Sequence, residues 1–369
     1  MLQYSDWLRQ DTSRESKEET LDRRLFSVDL IRAYAIFMVV MVHAAAPVML
    51  SFSSISQSSW WVANILFSFA HQGVPLFIMI SGLLLLDPNK NETLARFFRK
   101  RVVKVVWPLL FWSAFYYFWR VLYKGESLTA SKAFLIVIQG QIYYHLWFIY
   151  LILGLYIATP VLRFYIKSAP KINILYFVVV WAIFISLLPV LRHFTGISIG
   201  IDNVLFHSLI GYFLIGPLMN QLSFQNRYTW IIILGIISVT LLTAVGTHLF
   251  TLRFDGQYQG QLLRLHMPNI IALSVGTFLM LMKWQHSDIF KSELIAAFVQ
   301  RISLASFGIY LLHPAILDLL DAGCFGFSLS AIRFHPVIGI PLTVIVTITL
   351  SFLVVTALKR IPLLKSVVP

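Results

Sequence analysis

Ten runs of about twenty mainly apolar residues, the length a helix needs to cross a bilayer, recur along this 369-residue chain. They fall at about 26–48, 60–86, 102–123, 143–162, 173–191, 202–220, 228–250, 267–283, 303–321 and 337–358. Inside lipid a backbone must satisfy its own hydrogen bonds, so only helices and closed barrels can span. Barrel strands alternate polar and apolar residues, and segments such as 231–239 and 337–355 do not. The expected fold is therefore all-α: a polytopic integral membrane protein with about ten transmembrane helices. Hydrophobic residues make up 58% and charged residues 12% of the chain, the latter about half the share in a soluble domain. That excludes a soluble enzyme, a disordered chain and a coiled coil. Residues 1–25 read as a charged N-terminal tail, 26–358 as the transmembrane domain and 359–369 as a short C-terminal tail. The N-terminal tail is too charged for a signal peptide, and no small-residue cleavage site closes the first apolar run.

The charge is lopsided, with 29 Lys and Arg against 16 Asp and Glu. Residues 1–29 carry a net −2, so the apolar remainder carries +15. Almost no solvated protein exists here to present a basic face to nucleic acid, which leaves membrane topology. The two tails and the loops 87–104, 163–171, 221–227 and 283–302 hold 21 bases, and the opposite loops hold 6. Lys and Arg favour the cytoplasmic side, so both termini are expected there. Arg32 and Arg120 fall within spans. The single Cys324 excludes an intrachain disulfide and a multi-Cys zinc site. No two of the ten His residues have the i,i+4 spacing of a helical zinc motif, and no metal is expected. Phosphate-binding glycine loops and nucleophile elbows are absent. Asn91-Glu92-Thr93 matches a glycosylation sequon, but on a loop expected inside. No motif repeats internally, which gives no support to the repeat architecture of many transporters.

Topology does not account for ionisable groups inside spans, which are costly and mark functional candidates. The first span holds Asp29, Arg32 and His43. Asp29 and Arg32 are three apart and share a helix face. Arg32 and His43 are eleven apart, close to three turns, so they share a face about 16 Å apart along the axis. An anchoring pair plus a packing histidine is the purely structural alternative. A second cluster, Arg96, Arg99, Lys100, Arg101 and Lys104, opens the third span. It obeys the positive-inside rule, and its guanidinium forks also suit phosphate oxygens or anionic lipid. Tyr143-Tyr144-His145-Leu146-Trp147-Phe148-Ile149-Tyr150 resembles an aromatic belt, except that a belt does not need His145. In the ninth span, Ser306 to Pro314 includes Gly308, Tyr310 and His313. A His-Pro pair there frees backbone carbonyls, which is tolerated where protein or a cavity satisfies them. Gly73-Val74-Pro75 and Ser81-Gly82 interrupt the second span, with close helix packing the alternative account.

These residues together resemble the bacterial membrane-bound acyltransferase type-three family, in particular the branch containing the enterobacterial common antigen O-acetyltransferase. Arg32 and His43 match its Arg-x10-His signature. Val74 to Gly82 resemble its second-span motif, residues 96–101 its Arg-rich approach to the third span, and His145-Leu146-Trp147-Phe148 the branch's fourth-span motif. Gly308-Ile309-Tyr310 with His313 resembles its late-span motif. With eleven residues after the tenth span, the extracytoplasmic hydrolase-like domain of some members is not expected. The resemblance implies a stand-alone O-acyltransferase in the bacterial inner membrane. It would take acetyl-CoA (or another short acyl-CoA) as cytoplasmic co-substrate and a hydroxyl of a surface or lipid-linked glycan as acceptor, without a metal.

In that implied reaction His43 is the general base or a transient acyl carrier, a task suited to a neutral imidazole. Arg32 steadies the thioester or the pantetheine-phosphate end, oriented by Asp29. Arg96, Arg99, Lys100 and Arg101 hold the CoA phosphates. His145, Trp147, Tyr150, Tyr310 and His313 contact the sugar. Membrane lipids are further expected partners, and a homo-oligomer is left open. A transporter or flippase of a lipid-linked sugar or anion is the competing expectation, followed by a non-catalytic lipid or peptide sensor.

Overall fold

A computed structural model describes residues 3–90, 92–195, 209–220, 222, 225–285 and 287–369. Among these residues there are helices and no strands. Ten helical segments follow the ten apolar runs. They are α1 (Gln3–Met49), α2 (Gln57–Leu85), α3 (Leu94–Tyr123), α4 (Trp147–Ser168), α5 (Lys171–Val190), α6 (Ile210–Met219), α7 (Asn226–Arg253), α8 (Gln261–Trp284), α9 (Glu293–Asp321) and α10 (Pro336–Arg360). All but α6 are long and apolar enough to cross a membrane. The first part of the sixth expected run, 202–208, lies outside the described residues, as does Asn91 of the sequon.

The helices sort into a core and a periphery. In α1 and α2 the apolar windows are 61% and 67% buried, against 17% in α7, whose leucines and isoleucines face outward. Without a hydrophobic drive between helices in lipid, close approach comes from small residues. Gly82 and Gly216 illustrate this. A Cβ at Gly82 would stand 1.8 Å from the Phe213 carbonyl oxygen, and one at Gly216 would stand 1.9 Å from that of Met79. The backbones of α2 and α6 therefore touch at both points. α1 is the hub, packing on α2, α8, α9 and α10, and it carries Arg32 and His43.

Several elements differ in detail from expectation. α2 is two helices, Gln57–Ala70 and Gly73–Leu85, separated at His71 and Gln72. Pro75 has no N–H to offer the His71 carbonyl. The Gln72 amide instead donates to the Phe69 carbonyl at 2.8 Å and to Tyr34 Oη at 3.1 Å. α3 begins earlier than expected, at Leu94, so the arginine cluster is helical. It then passes through π-helical turns at Val102–Val106 and Trp119–Tyr123. Arg120 is accounted for at this second turn: it pairs with Glu126 at 2.6 Å and donates to the Ile142 carbonyl at 3.2 Å. The N-terminal tail is helical from Gln3, continuous with the first span. The C-terminal segment is packed rather than free: Val367 and Val368 are buried, and Trp112 Nε1 donates to the Val367 carbonyl at 2.9 Å.

The glycine interlock gives a stability prediction. Gly82→Ala forces backbone apart from backbone and should cost about 1–3 kcal/mol, read as a lower unfolding midpoint in detergent. Gly154→Ala, which meets nothing within 4 Å, should leave that midpoint unchanged.

Candidate active site

Three cavities lie in series through the bundle. The first, about 380 Å³, is lined by Arg32, Lys104, Lys359, Ser81, Ser303 and Tyr156. It sits at the end where α3 and α9 begin and α2, α4 and α10 finish, so the three cations come from three helices. Asp29 accepts from Ser303 Oγ at 2.6 Å, which ties α1 to α9 beside it. Lys359 Nζ donates to the Leu304 carbonyl at 2.9 Å. Phe148 and Tyr310 close this cavity and also line the second, about 220 Å³, with His43, His71, His145 and Trp147. His43 in turn lines the third, about 300 Å³, with Tyr144, Asp318, Asp321, Ser330 and Thr343. Each neighbouring pair of cavities thus shares a residue of the candidate set.

The rings around His43 are close. Its centroid lies 4.8 Å from that of Tyr144 and 5.2 Å from that of His313. His145 lies 5.5 Å from His313 and 5.3 Å from Tyr310. Local backbone chemistry fixes their orientation. Pro314 lacks the N–H that would bond the Tyr310 carbonyl one turn back, and His313 Nδ1 bonds that carbonyl at 2.7 Å. A carbonyl only accepts, so Nδ1 carries a proton and Nε2 is the nitrogen left to exchange one. His71 is set in the same way by the Phe67 carbonyl, also at 2.7 Å. His313 Nε2 and both ring nitrogens of His145 are buried without a hydrogen-bond partner among the described residues. Buried polar groups are normally satisfied, and exceptions concentrate at functional sites.

The turn before α4 is held at two points. Tyr310 donates its hydroxyl to the His145 carbonyl. Asp318 gathers Tyr143 Oη at 2.5 Å, Trp119 Nε1 at 2.9 Å and Lys124 Nζ at 2.9 Å. These bonds seat Tyr144 against His43 and His145 against His313. Among the described residues no three His, Cys, Asp or Glu side chains are grouped as metal ligands.

Of the residues singled out in the sequence, Asp29, Arg32, His43, His145, Trp147, Tyr310 and His313 lie on or beside these cavities. Tyr150 does not: its hydroxyl donates to the Val137 carbonyl and its ring packs over Gly140. Nor do residues 96–101 line them. Arg96 and Arg99 are exposed. Lys100 pairs with Glu92 at 2.8 Å, and Arg101 lies over the Phe97 ring at 4.7 Å. Lys104, exposed and within the wide turn at Val102–Val106, lines the first cavity instead. His71, Lys359 and Asp318 were not singled out. An acid inside an apolar run, the signal that marks Asp29, was available for Asp318, and His71 stands two residues before the Gly-Val-Pro break. Lys359 reads as one more topological base.

The pattern of an acyltransferase domain family matches residues 25–356, nearly the whole chain. The chain belongs to that family. No curated protein and no solved structure matches it. The molecule is therefore a multi-pass membrane acyltransferase, and the cavities run through its acyltransferase domain.

Outside the spans, the Lys100 ammonium holds the Glu92 carboxyl below the usual carboxylate range. A depressed carboxyl contributes stability above its unfolded value of about 4.3 and loses it as pH falls through the folded value. Glu92→Gln should thus lower the unfolding midpoint of the acyltransferase at pH 7, and the gap to wild type should shrink below about pH 4.

Proposed function

We propose that this acyltransferase moves an acetyl group, or another short acyl group, from acyl-CoA on the cytoplasmic side of the bacterial inner membrane to a hydroxyl of a cell-surface or lipid-linked glycan. The observation that supports this reading most is the position of His43, on the wall common to the second and third cavities. A donor entering from the basic first cavity and an acceptor entering from the opposite end meet at that imidazole.

Acyl transfer from a thioester needs a base for the hydroxyl proton, a counter-charge for the tetrahedral oxyanion and a grip on the CoA phosphates. In this reading a His43 ring nitrogen removes the acceptor proton as the oxygen attacks the thioester carbon. The oxyanion collapses, the C–S bond breaks and the imidazolium returns the proton to the CoA thiolate. Arg32, Lys104 and Lys359 supply positive charge along the donor path, with Arg96 and Arg99 exposed at its mouth for phosphate oxygens. Lys100 and Arg101 assist from their Glu92 pairing. The roughly 16 Å of helix between Arg32 and His43 matches part of an extended pantetheine arm. His313 and His145 border the reacting groups with unpartnered nitrogens; Tyr310 and Trp147 shape the passage. The sugar contact expected of Tyr150 has no support in its position.

His43→Ala should lower transfer from radiolabelled acetyl-CoA to membrane glycolipid by about 10²-fold or more while acetyl-CoA still binds; unchanged turnover removes His43 from the chemistry. Arg32→Ala should weaken acetyl-CoA binding by about tenfold, measured by equilibrium dialysis. Wild-type affinity would return Arg32 to a purely structural role.

A further inference from the structure

The third cavity has features that the donor path does not explain. It lies at the end of the bundle away from Arg32, Lys104 and Lys359, and its charge is opposite. Asp318 and Asp321 line it, and no Lys or Arg does. The two acids are in different states. Asp318 is occupied by Tyr143, Trp119 and Lys124, so it builds the wall. Asp321 is exposed, and among the described residues no cation pairs with its carboxylate. It remains free to accept hydrogen bonds.

A second feature is independent of the acids. Thr343 is 2% exposed, lines the same cavity and has an Oγ1 with no hydrogen-bond partner among the described residues. Buried helical threonines of this bundle divide between two states, and Thr343 shares the unpartnered one with Thr247, Thr277 and Thr347. Thr159, Thr240, Thr243, Thr251 and Thr356 each donate to the carbonyl one turn back, at 2.7–2.8 Å. Thr347 and Ser351 continue the unpartnered row deeper along α10, away from this cavity. A buried hydroxyl lacking a partner costs stability unless something completes it. At Thr343 a ligand can.

Opposite these groups stands Tyr144, 51% exposed, with one edge of the cavity formed by its ring and His43 beside it. An aromatic ring offers an apolar surface suited to the C–H side of a sugar. At about 300 Å³ the space is at the small end of the roughly 300–1,000 Å³ range of ligand sites, room for one sugar ring. A carboxylate accepts hydroxyl hydrogens and repels anions.

We propose that the third cavity is the acceptor subsite and receives a single uncharged sugar ring, with Asp321 and Thr343 bonding its hydroxyls and one further hydroxyl facing His43. This deepens the acyl-transfer reading and rests on it. The acceptor is selected for neutrality here, as the donor is for negative charge at the other end.

The test is direct binding by saturation-transfer NMR to the full chain in nanodiscs, with acetyl-CoA binding as the check on folding. Probes are the methyl glycosides of glucose, galactose and N-acetylglucosamine, with methyl glucuronide as the anionic comparison. At least one neutral glycoside should bind, and the glucuronide should bind about tenfold more weakly or not at all. Asp321→Asn and Thr343→Val should each weaken the neutral glycoside by about tenfold, and Thr343→Ser should restore it. Asp321→Lys, at an exposed position, should shift preference toward the glucuronide. The proposal is overturned if no neutral glycoside binds, if the glucuronide binds equally well, or if both variants bind as wild type. Binding in the expected pattern with no acyl product from acetyl-CoA overturns the transfer reading and leaves the sugar site standing. Transfer with binding unaffected by the variants overturns the sugar site alone.

Discussion

The hydrogen bond from His313 Nδ1 to the Tyr310 carbonyl holds together what the rest of the site needs. A proline in a membrane helix leaves a carbonyl without its amide, and no water in the hydrocarbon can replace it. His313 supplies the donor from the neighbouring residue. The same bond commits its Nδ1, leaves Nε2 open within the cluster of His43 and His145, and keeps α9 intact through the break. α9 can then present Tyr310 to the turn before α4 and Asp318 to α3. Remove the carbonyl's need and the imidazole has no fixed orientation; remove the imidazole and the helix has an unsatisfied group at mid-depth.

Around this point the bundle separates charges by end. Cations from α1, α3 and α10 surround the first cavity, and carboxylates of α9 line the third. Between them stand imidazoles and tyrosines, groups that can bond and exchange protons without a permanent charge, with the exposed Arg264 also on the wall of the second cavity. The family membership makes the chain an acyltransferase, and in the reading proposed above this gradation serves to bring a phosphate-bearing donor and a hydroxyl together.

Much of the fold was legible because lipid imposes one rule on every span. Run length and the absence of alternation give the helices, and the Arg32–His43 spacing gives the face they share. The sequence also flagged His145, Tyr310 and His313 as polar groups with no topological duty, and the fold gathers them. What it hid depended on local departures from ideal helix geometry. Residues 96–104 look like one continuous basic face, but after the wide turn begins at Val102 the exposed Lys104 borders the first cavity while Arg96 and Arg99 do not. Tyr150 shares a motif with His145 yet points to Val137, because the turn at 143–146 precedes the helix. Asp318 carried a readable signal as an acid inside an apolar run, but Lys359 and Thr343 acquire meaning only from the cavities that distant segments form around them, which no spacing along one helix reveals.

The contact between Gly82 and Phe213, and its counterpart between Gly216 and Met79, has a mechanical consequence. Where backbone rests on backbone there is no side chain to swing aside, so α2 and α6 form a rigid unit that cannot slide. Phe148 and Tyr310 are shared by the first and second cavities, and Phe77 of α2 lies against Phe148 on the wall of the first. One side of the boundary between these cavities is thus anchored, and any widening that admits a bulky acyl chain must come from α4 and α9 moving against it. The length of acyl group the protein accepts is then set by how far those two helices yield, not by the size of the cavity at rest.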